Sequence, residues 1–227
     1  MGKEYIYSNY TYNSKNPLAR FSHRKRFLIG LNIIFEEKFS TILDYGSGDN
    51  KFLKEILKRD KNIELSAYEP IMANQSTSNI KTYTKLEQLN SKVFDVVTCF
   101  EVLEHFNEKE QQKMLSFFHK KLSNGGRLLI SVPIEIGFPS LIKNIRRMGF
   151  GGSFSGNLKN TLKCFLGMEV PEIRNAEGYI SSHVGFNHKK LEALFHNQFE
   201  IVKRRNSPFG KLNSQLNSQV FYLLKKR

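Results

Sequence analysis

The stretch Thr41-Ile42-Leu43-Asp44-Tyr45-Gly46-Ser47-Gly48 constrains this chain more than any other. Its first five residues read as a strand, and two glycines directly after it let the backbone turn sharply and approach a ligand that a Cβ would hold off. Phe52, Leu53, Ile56 and Leu57 follow at helical spacing, so the turn opens a helix whose first N–H groups are free to bind. Strand, glycine turn and helix begin a βαβ unit, and strands alternating with helices further on imply a parallel sheet. A dinucleotide fingerprint G-x-G-x-x-G would need a third glycine where Lys51 stands, so the phosphate-cradling form of the loop is incomplete. Glu69 ends the next strand, Ile63 to Tyr68, where an acid can accept from both hydroxyls of a ribose. The alternative is a surface carboxylate at a strand end, which the paired glycine loop makes the lesser reading. Glycines and acid together specify an adenosine-type ligand.

The same alternation continues. Ile80 to Tyr83 reads as a third strand after a polar helix or turn region from Pro70 to Ser78, and Val93 to Phe100 as a buried fourth. A helix from Glu108 to Leu122 meets Asn124-Gly125-Gly126 as a C-terminal stop, and a strand from Arg127 to Val132 follows. Ahead of the sheet, Phe27, Leu28, Leu31, Ile34 and Phe35 mark an amphipathic helix from Phe21 to Phe39, preceded by a Tyr/Asn/Ser-rich lid. Pro133 breaks the rhythm. An insertion of the length that follows is usually a lid or binding element. Helix Lys189 to His196 and strands Phe199 to Arg205 and Gln219 to Leu224 close the chain. The expected organisation is an N-terminal lid and helix (1–40), a cofactor-binding half (41–133), an inserted cap or substrate element (134–182), and a helix with a strand pair completing the sheet (183–227).

At 227 residues a single core suffices. The excess of 35 Lys+Arg over 21 Asp+Glu, a formal +14, attracts anionic ligands. The basic residues are spread along the chain rather than gathered, which speaks against a stable nucleic-acid partner. Cys99 sits in an apolar strand pattern and Cys164 in a Lys/Asn-rich stretch, so neither a disulfide framework nor a zinc knuckle is expected. The start of the chain lacks a signal-type apolar region and no apolar run approaches a membrane span, so the cytoplasm is the expected compartment.

Two further blocks complete a pattern: Phe94-Asp95-Val96-Val97-Thr98-Cys99-Phe100-Glu101-Val102-Leu103-Glu104-His105-Phe106, and Leu122-Ser123-Asn124-Gly125-Gly126-Arg127-Leu128-Leu129-Ile130-Ser131-Val132-Pro133. With the glycine loop and Glu69 they run in order from position 41 to 133, and together they resemble the class I S-adenosylmethionine-dependent methyltransferases, especially bacterial members similar to the ubiquinone-biosynthesis O-methyltransferase group. The resemblance implies an α/β fold, a doubly wound and mostly parallel seven-stranded sheet with an inserted cap, and S-adenosylmethionine as cofactor with S-adenosylhomocysteine as product. It implies that Asp44, Gly46, Ser47 and Gly48 shape the pocket, that Glu69 binds the ribose, that Pro70 and Ile71 lie beside the adenine, and that Phe100 and Glu101 line the floor near the methionine end. Tyr83-Thr84-Lys85-Leu86 departs from the family pattern, having no acid for the adenine amine.

Other residues invite a chemical reading. Glu101, Glu104 and His105 fall at i, i+3 and i+4, which share one helix face. Some relatives look to bind a divalent metal through this pattern; alternatively His105 bonds the turn and Glu104 is solvated, and no metal is assigned. His183 is the candidate general base, imidazole titrating near neutrality, or else a helix-entry histidine bonded to backbone. His188 is expected to face solvent. Arg20 and His23, in a segment resembling the lid of these enzymes, are candidates with His105 for holding substrate, Arg20 by clamping a phosphate or carboxylate; a solvated basic helix start is the alternative. Because a sulfonium is already an activated leaving group, positioning supplies most of the acceleration. The expected activity is O-methylation of a small acceptor, anionic or sugar-derived. The alternatives are an RNA methyltransferase, a nicotinamide-nucleotide-dependent oxidoreductase and a non-catalytic cofactor-binding or scaffold protein.

Overall fold

The structure is a computed structural model, and it describes residues 12–13, 15, 17–71, 76–149, 158–171, 174–175, 179–180, 183–210, 213 and 216–227. Most of the expected lid before Pro17, and Ser181 and Ser182 beside His183, lie outside the described residues. Helix α1 (Pro17–Ile34) precedes strand β1 (Thr41–Tyr45), helix α2 (Lys51–Arg59), β2 (Glu64–Tyr68), β3 (Ile80–Tyr83) and β4 (Phe94–Phe100). Then follow α3 (Glu108–Lys121), β5 (Leu122–Pro133), α4 (Phe138–Gly149), α5 (Leu158–Phe165), α6 (His188–Phe195), β6 (Phe199–Ser207) and β7 (Gln219–Lys226). The strands form one seven-stranded sheet in the order β3-β2-β1-β4-β5-β7-β6. Strands β1 to β5 pair parallel, and β7 runs antiparallel between β5 and β6. The expected doubly wound α/β class is what the chain adopts. No helix among the described residues is long and apolar enough to cross a membrane.

Alternation along the strands divides the core between the two faces of the sheet. Leu43, Val97, Leu128, Ile130, Tyr222 and Leu224 face α3 and α6, where Phe118 and Phe195 pack. Ile42, Val96, Leu129, Phe221 and Leu223 face α1 and α2, where Leu31, Phe52 and Ile56 pack. Both faces are covered, as a parallel sheet requires.

Several boundaries differ from the sequence expectation for physical reasons. Helix α1 starts at Pro17, whose fixed φ and missing N–H suit a first helical position. It ends at Ile34, leaving Leu28 and Phe35 exposed, while Gly30 faces the sheet: a Cβ there would lie 3.0 Å from Phe100 Cζ and 3.2 Å from Phe52 Cε2. Asn124-Gly125-Gly126 does not cap α3; the helix ends at Lys121, and the glycines form an irregular start to β5, with Gly125 at φ 74° and the pairing shifting between Phe94 and Val96. His188, expected in solvent, is 2% exposed. It shares the inward face of α6 with Leu191 and Phe195, at i+3 and i+7. Burial, with Arg204 and Lys189 adding to it, pushes the His188 pKa down to about 4, so the ring is neutral at physiological pH.

The start of α3 bears directly on the pocket above the sheet. Asn107 Oδ1 accepts from the Glu110 amide (3.0 Å) and Glu110 Oε2 accepts from the Asn107 amide (2.7 Å), a reciprocal cap. Gln111 Nε2 donates to the carbonyls of Leu103 (3.0 Å) and Phe106 (2.8 Å), tying the preceding turn to the helix. Replacing Asn107 by alanine is expected to cost about 1 kcal/mol. The measurement is urea unfolding, with a lower midpoint at unchanged slope; an unshifted midpoint would show that the cap contributes nothing.

Candidate active site

The chain runs from β1 outward through β2 to β3 and then returns across to β4, so the strand order reverses between β1 and β4. In open α/β sheets a crevice forms at such a point beyond the carboxyl ends of the strands. A cavity of about 510 Å³ lies there. Gly46, Ser47 and Gly48 after β1, Glu69 to Ile71 after β2, and Phe100 to Val102 after β4 all line it.

The glycine loop is fixed by its neighbour. The amides of Gly46 and Ser47 donate to the Tyr68 carbonyl at 2.8 and 3.3 Å. Gly46 has φ 76°, and a Cβ on it would stand 2.6 Å from Val102 Cγ2, so only glycine fits. Glu69, 8% exposed, faces the loop: its Oε2 accepts from the Gly48 amide (2.9 Å) and its Oε1 from the Ile71 amide (3.0 Å). A carboxylate offers about four acceptor positions, so two remain for a ligand. Lys51, standing where a third glycine would complete a dinucleotide fingerprint, is the first residue of α2 and pairs with Glu55 at 2.8 Å.

Asp44, in β1 beneath the loop, is 3% exposed and accepts a 2.6 Å hydrogen bond from Thr98 Oγ1. Burial pushes its pKa up to about 7; the Thr98 bond and Arg26 oppose the rise, and Glu69 adds to it. Glu101 adopts φ 56°, its amide donating to the Ser131 carbonyl (2.9 Å) and its Oε1 accepting from Ser131 Oγ (3.0 Å). Its other oxygen faces Arg26 Nη1 at 3.8 Å. Phe100 forms the floor, edge-on to Phe52 and Phe221 with ring centroids 4.8 and 5.8 Å apart.

The residues expected to hold substrate separate. Arg20 lines a different surface hollow, with Arg24 and Leu28, because residues 20, 24 and 28 form one four-residue row of α1 while Arg26, Phe27 and Gly30 face the sheet. Arg26, not Arg20, is the arginine in the pocket. His23 stands behind it, Nδ1 2.6 Å from Arg26 Nη2. Burial, reinforced by Arg26, pushes the His23 pKa down to about 4. His105 does line the pocket, and its Nδ1 lies 2.7 Å from the Ile180 carbonyl.

The expected helix through Glu101, Glu104 and His105 does not form. Glu101 ends the strand in left-handed conformation, and only Leu103–His105 make a single tight turn. Glu104, expected in solvent if not bound to metal, has a fully buried side chain, and its carboxyl is held well above the usual range by burial first and by Glu101 second. His183 packs edge-on against His105, centroids 4.6 Å apart, with its Nδ1 3.7 Å from Glu104 Oε1.

The sequence pattern did not single out Arg26, Asn175 or Tyr179, which also line the pocket. Asn175 and Tyr179 bond to each other: the Asn175 amide donates to the Tyr179 carbonyl (2.8 Å), and the Tyr179 amide to Asn175 Oδ1 (2.9 Å). Tyr179 meets Phe106 edge-on at 5.4 Å. Asn-Ala-Glu-Gly before Tyr-Ile was the available turn signal.

Known proteins share this fold. The N-methyltransferase NodS from Bradyrhizobium japonicum WM9, in complex with S-adenosyl-L-homocysteine, is 13% identical with a TM-score of 0.56, over 94% of this chain and 89% of that one. The plantazolicin methyltransferase BpumL in complex with the same product is 16% identical with a TM-score of 0.59, over 98% and 89%. The PH0226 protein from Pyrococcus horikoshii OT3 is 14% identical with a TM-score of 0.59, over 98% and 97%. At such identities the likeness is one of fold. No curated protein matches the sequence. The model of the methyltransferase domain matches residues 15–153, more than half of the chain, including the glycine loop, Glu69 and the turn after β4. The chain thus belongs to the methyltransferase domain family.

Proposed function

We propose that this enzyme binds S-adenosylmethionine in the cavity beyond β1, β2 and β4 and transfers its methyl group to an oxygen of a small, anionic or sugar-derived acceptor, in the cytoplasm. The observation that carries the reading is the Glu69 carboxylate, bonded to the Gly48 and Ile71 amides with two acceptor positions left, which suits the paired hydroxyls of a ribose. Asp44, Glu69 and Glu101 give this end of the cavity a negative lining suited to a sulfonium and an ammonium group, and Arg26 suits a carboxylate. The bound cofactor supplies a methyl group on an activated leaving group. The protein's part is orientation and exclusion of water.

The acceptor end is assigned to His105, Phe106, Asn175 and Tyr179, which line the same cavity, so that the segment carrying Asn175 and Tyr179 forms part of its wall. The formal charge of +14 favours an anionic acceptor. His183, against His105 and Glu104, is the residue assigned to the acceptor's proton. The resemblance of the four sequence blocks to the ubiquinone-biosynthesis O-methyltransferase group supports oxygen as the acceptor atom, whereas NodS is an N-methyltransferase. A screen of phosphorylated and glycosyl metabolites with labelled methyl donor, followed by identification of the methylated atom, decides between oxygen and nitrogen. If Tyr179→Ala left acceptor KM and selectivity unchanged, the assignment of the wall would be wrong.

Calorimetry with S-adenosylmethionine and S-adenosylhomocysteine tests the cofactor directly. Glu69→Ala removes charge-assisted hydrogen bonds worth about 1.5–3 kcal/mol, so affinity is expected to fall by roughly 10- to 100-fold. Undiminished affinity would sink the ribose assignment.

Asp44 adds a pH dependence whose sign follows from its raised pKa. A cationic ligand favours the carboxylate, so binding releases a proton, and affinity is expected to rise roughly tenfold from pH 6 to 8 as Asp44 ionises. In Asp44→Asn that rise should vanish. Without ligand the protonated acid is the favoured form: its contribution to stability is full below about pH 4, declines above that, and is lost as pH passes 7.

A further inference from the structure

The tight turn Leu103–His105 sends neighbouring residues into two cavities. His105 lines the cofactor cavity, Glu104 lines a second one of about 300 Å³, and Phe106 lines both. Three segments contribute most of the second wall: this turn with the start of α3, residues 167–170 after α5, and residues 184–187 before α6. They are tied to one another. Lys190 of α6 pairs with Glu169. Gly185, at φ 85°, lets its segment press against Val170, where a Cβ would stand 2.9 Å from Val170 Cβ.

The polar groups of this cavity are mostly spent on the protein itself, with one exception. Gln111 gives both amide hydrogens to the Leu103 and Phe106 carbonyls, so it offers only its oxygen. Glu104 is different. Its side chain is fully buried, yet neither oxygen meets a hydrogen-bond donor from another of the described residues. His183 Nδ1 is the nearest charged partner, at the 3.7 Å of an ion pair rather than a hydrogen bond. A buried acid left in this way is costly unless something completes it.

The chemistry of the lining selects what completes it. Burial and Glu101 favour the protonated form of Glu104, which gives one hydrogen bond and accepts another, as a hydroxyl does. An anion would face Glu104, Glu108 and Glu169 with only Lys190, already paired, in its favour. An ammonium would need the ionised acid. Phe106 and Phe186 add ring surfaces, whose negative faces suit the polarised C–H groups of a sugar. A few fixed polar groups among apolar and aromatic ones are what orient a small ligand.

We propose that the second cavity takes an uncharged sugar ring of the acceptor, held by Glu104 and Gln111 against Phe106 and Phe186, and presents one of its hydroxyls past Phe106 to the cofactor cavity. The inference rests on the proposed methyl transfer and narrows its acceptor to one carrying a sugar ring. His183, packed on His105 and beside Glu104, then stands where the two cavities approach, as its assignment to the acceptor's proton requires.

The test is saturation-transfer NMR on the full-length chain with S-adenosylhomocysteine present. The methyl glycosides of glucose, galactose, mannose and N-acetylglucosamine serve as uncharged probes, with glucosamine and gluconate as charged ones. At least one glycoside is expected to bind saturably and more tightly than either charged probe. Glu104→Leu and Phe186→Ala are each expected to weaken it by roughly tenfold while S-adenosylhomocysteine affinity is retained. Leucine, apolar and of similar size, replaces an acid without donors, so the Tm of that variant should hold or rise, whereas loss of a structural carboxylate would lower it. Phe186 is only partly buried, so its variant remains informative if Glu104→Leu fails to fold. Absence of glycoside binding, tighter binding of a charged probe, or an affinity unaltered by the substitutions overturns the site. In the unsubstituted protein, S-adenosylhomocysteine binding without glycoside binding removes this inference alone, and loss of S-adenosylhomocysteine binding removes the proposed function.

Discussion

The carboxylate of Glu69 holds two loops at once, accepting from the Gly48 amide after β1 and the Ile71 amide after β2. Each loop by itself is a few residues of irregular backbone at the mouth of a parallel sheet. Joined, they form one edge above strands paired in register from Thr41 with Glu64 to Tyr45 with Tyr68. Everything assigned to the cofactor depends on that edge staying closed. The glycines matter here less as flexible points than as places where a side chain has no room, as the 2.6 Å approach to Val102 at Gly46 shows.

The cavity lining is mixed in charge. Among the described residues that line it, the acids are Asp44, Asp49, Glu69 and Glu101 and the cations Arg26 and Lys51. His105, Phe106, Asn175 and Tyr179 add imidazole, aromatic and amide groups. The proposed cationic donor and anionic acceptor would each be drawn to groups of opposite charge in such a lining.

Local pattern carried most of the fold. Strand, glycine turn and helix from Thr41 to Leu57 is a sequence-local device, and so is the acid closing the next strand. Features that depend on how elements pack were not legible in this way. Arg20 and Arg26 are equally basic and six residues apart; which one enters the cavity depends on the rotation of α1 against Phe52 and Phe100, set by Gly30. The E-x-x-E-H spacing suggested one helix face, but the left-handed turn at Glu101 sent its carboxylate to Ser131. His183 meets Glu104 only through tertiary folding across the long segment between them. His188 could have been placed inside by its spacing to Leu191 and Phe195, since the apolar row of α6 includes it.

The position of β7 has a consequence for the integrity of the fold. Among the described residues it is the only strand running against β5, and its buried Val220 to Leu224 lies between β5 and β6. Remove it, and the backbone of β5 from Leu128 to Val132, whose side chains are all fully or almost fully buried, becomes an open edge beside exposed apolar surface. Such edges recruit other chains. A fragment ending before Gln219 would therefore keep every group assigned to the cofactor and still be driven toward self-association.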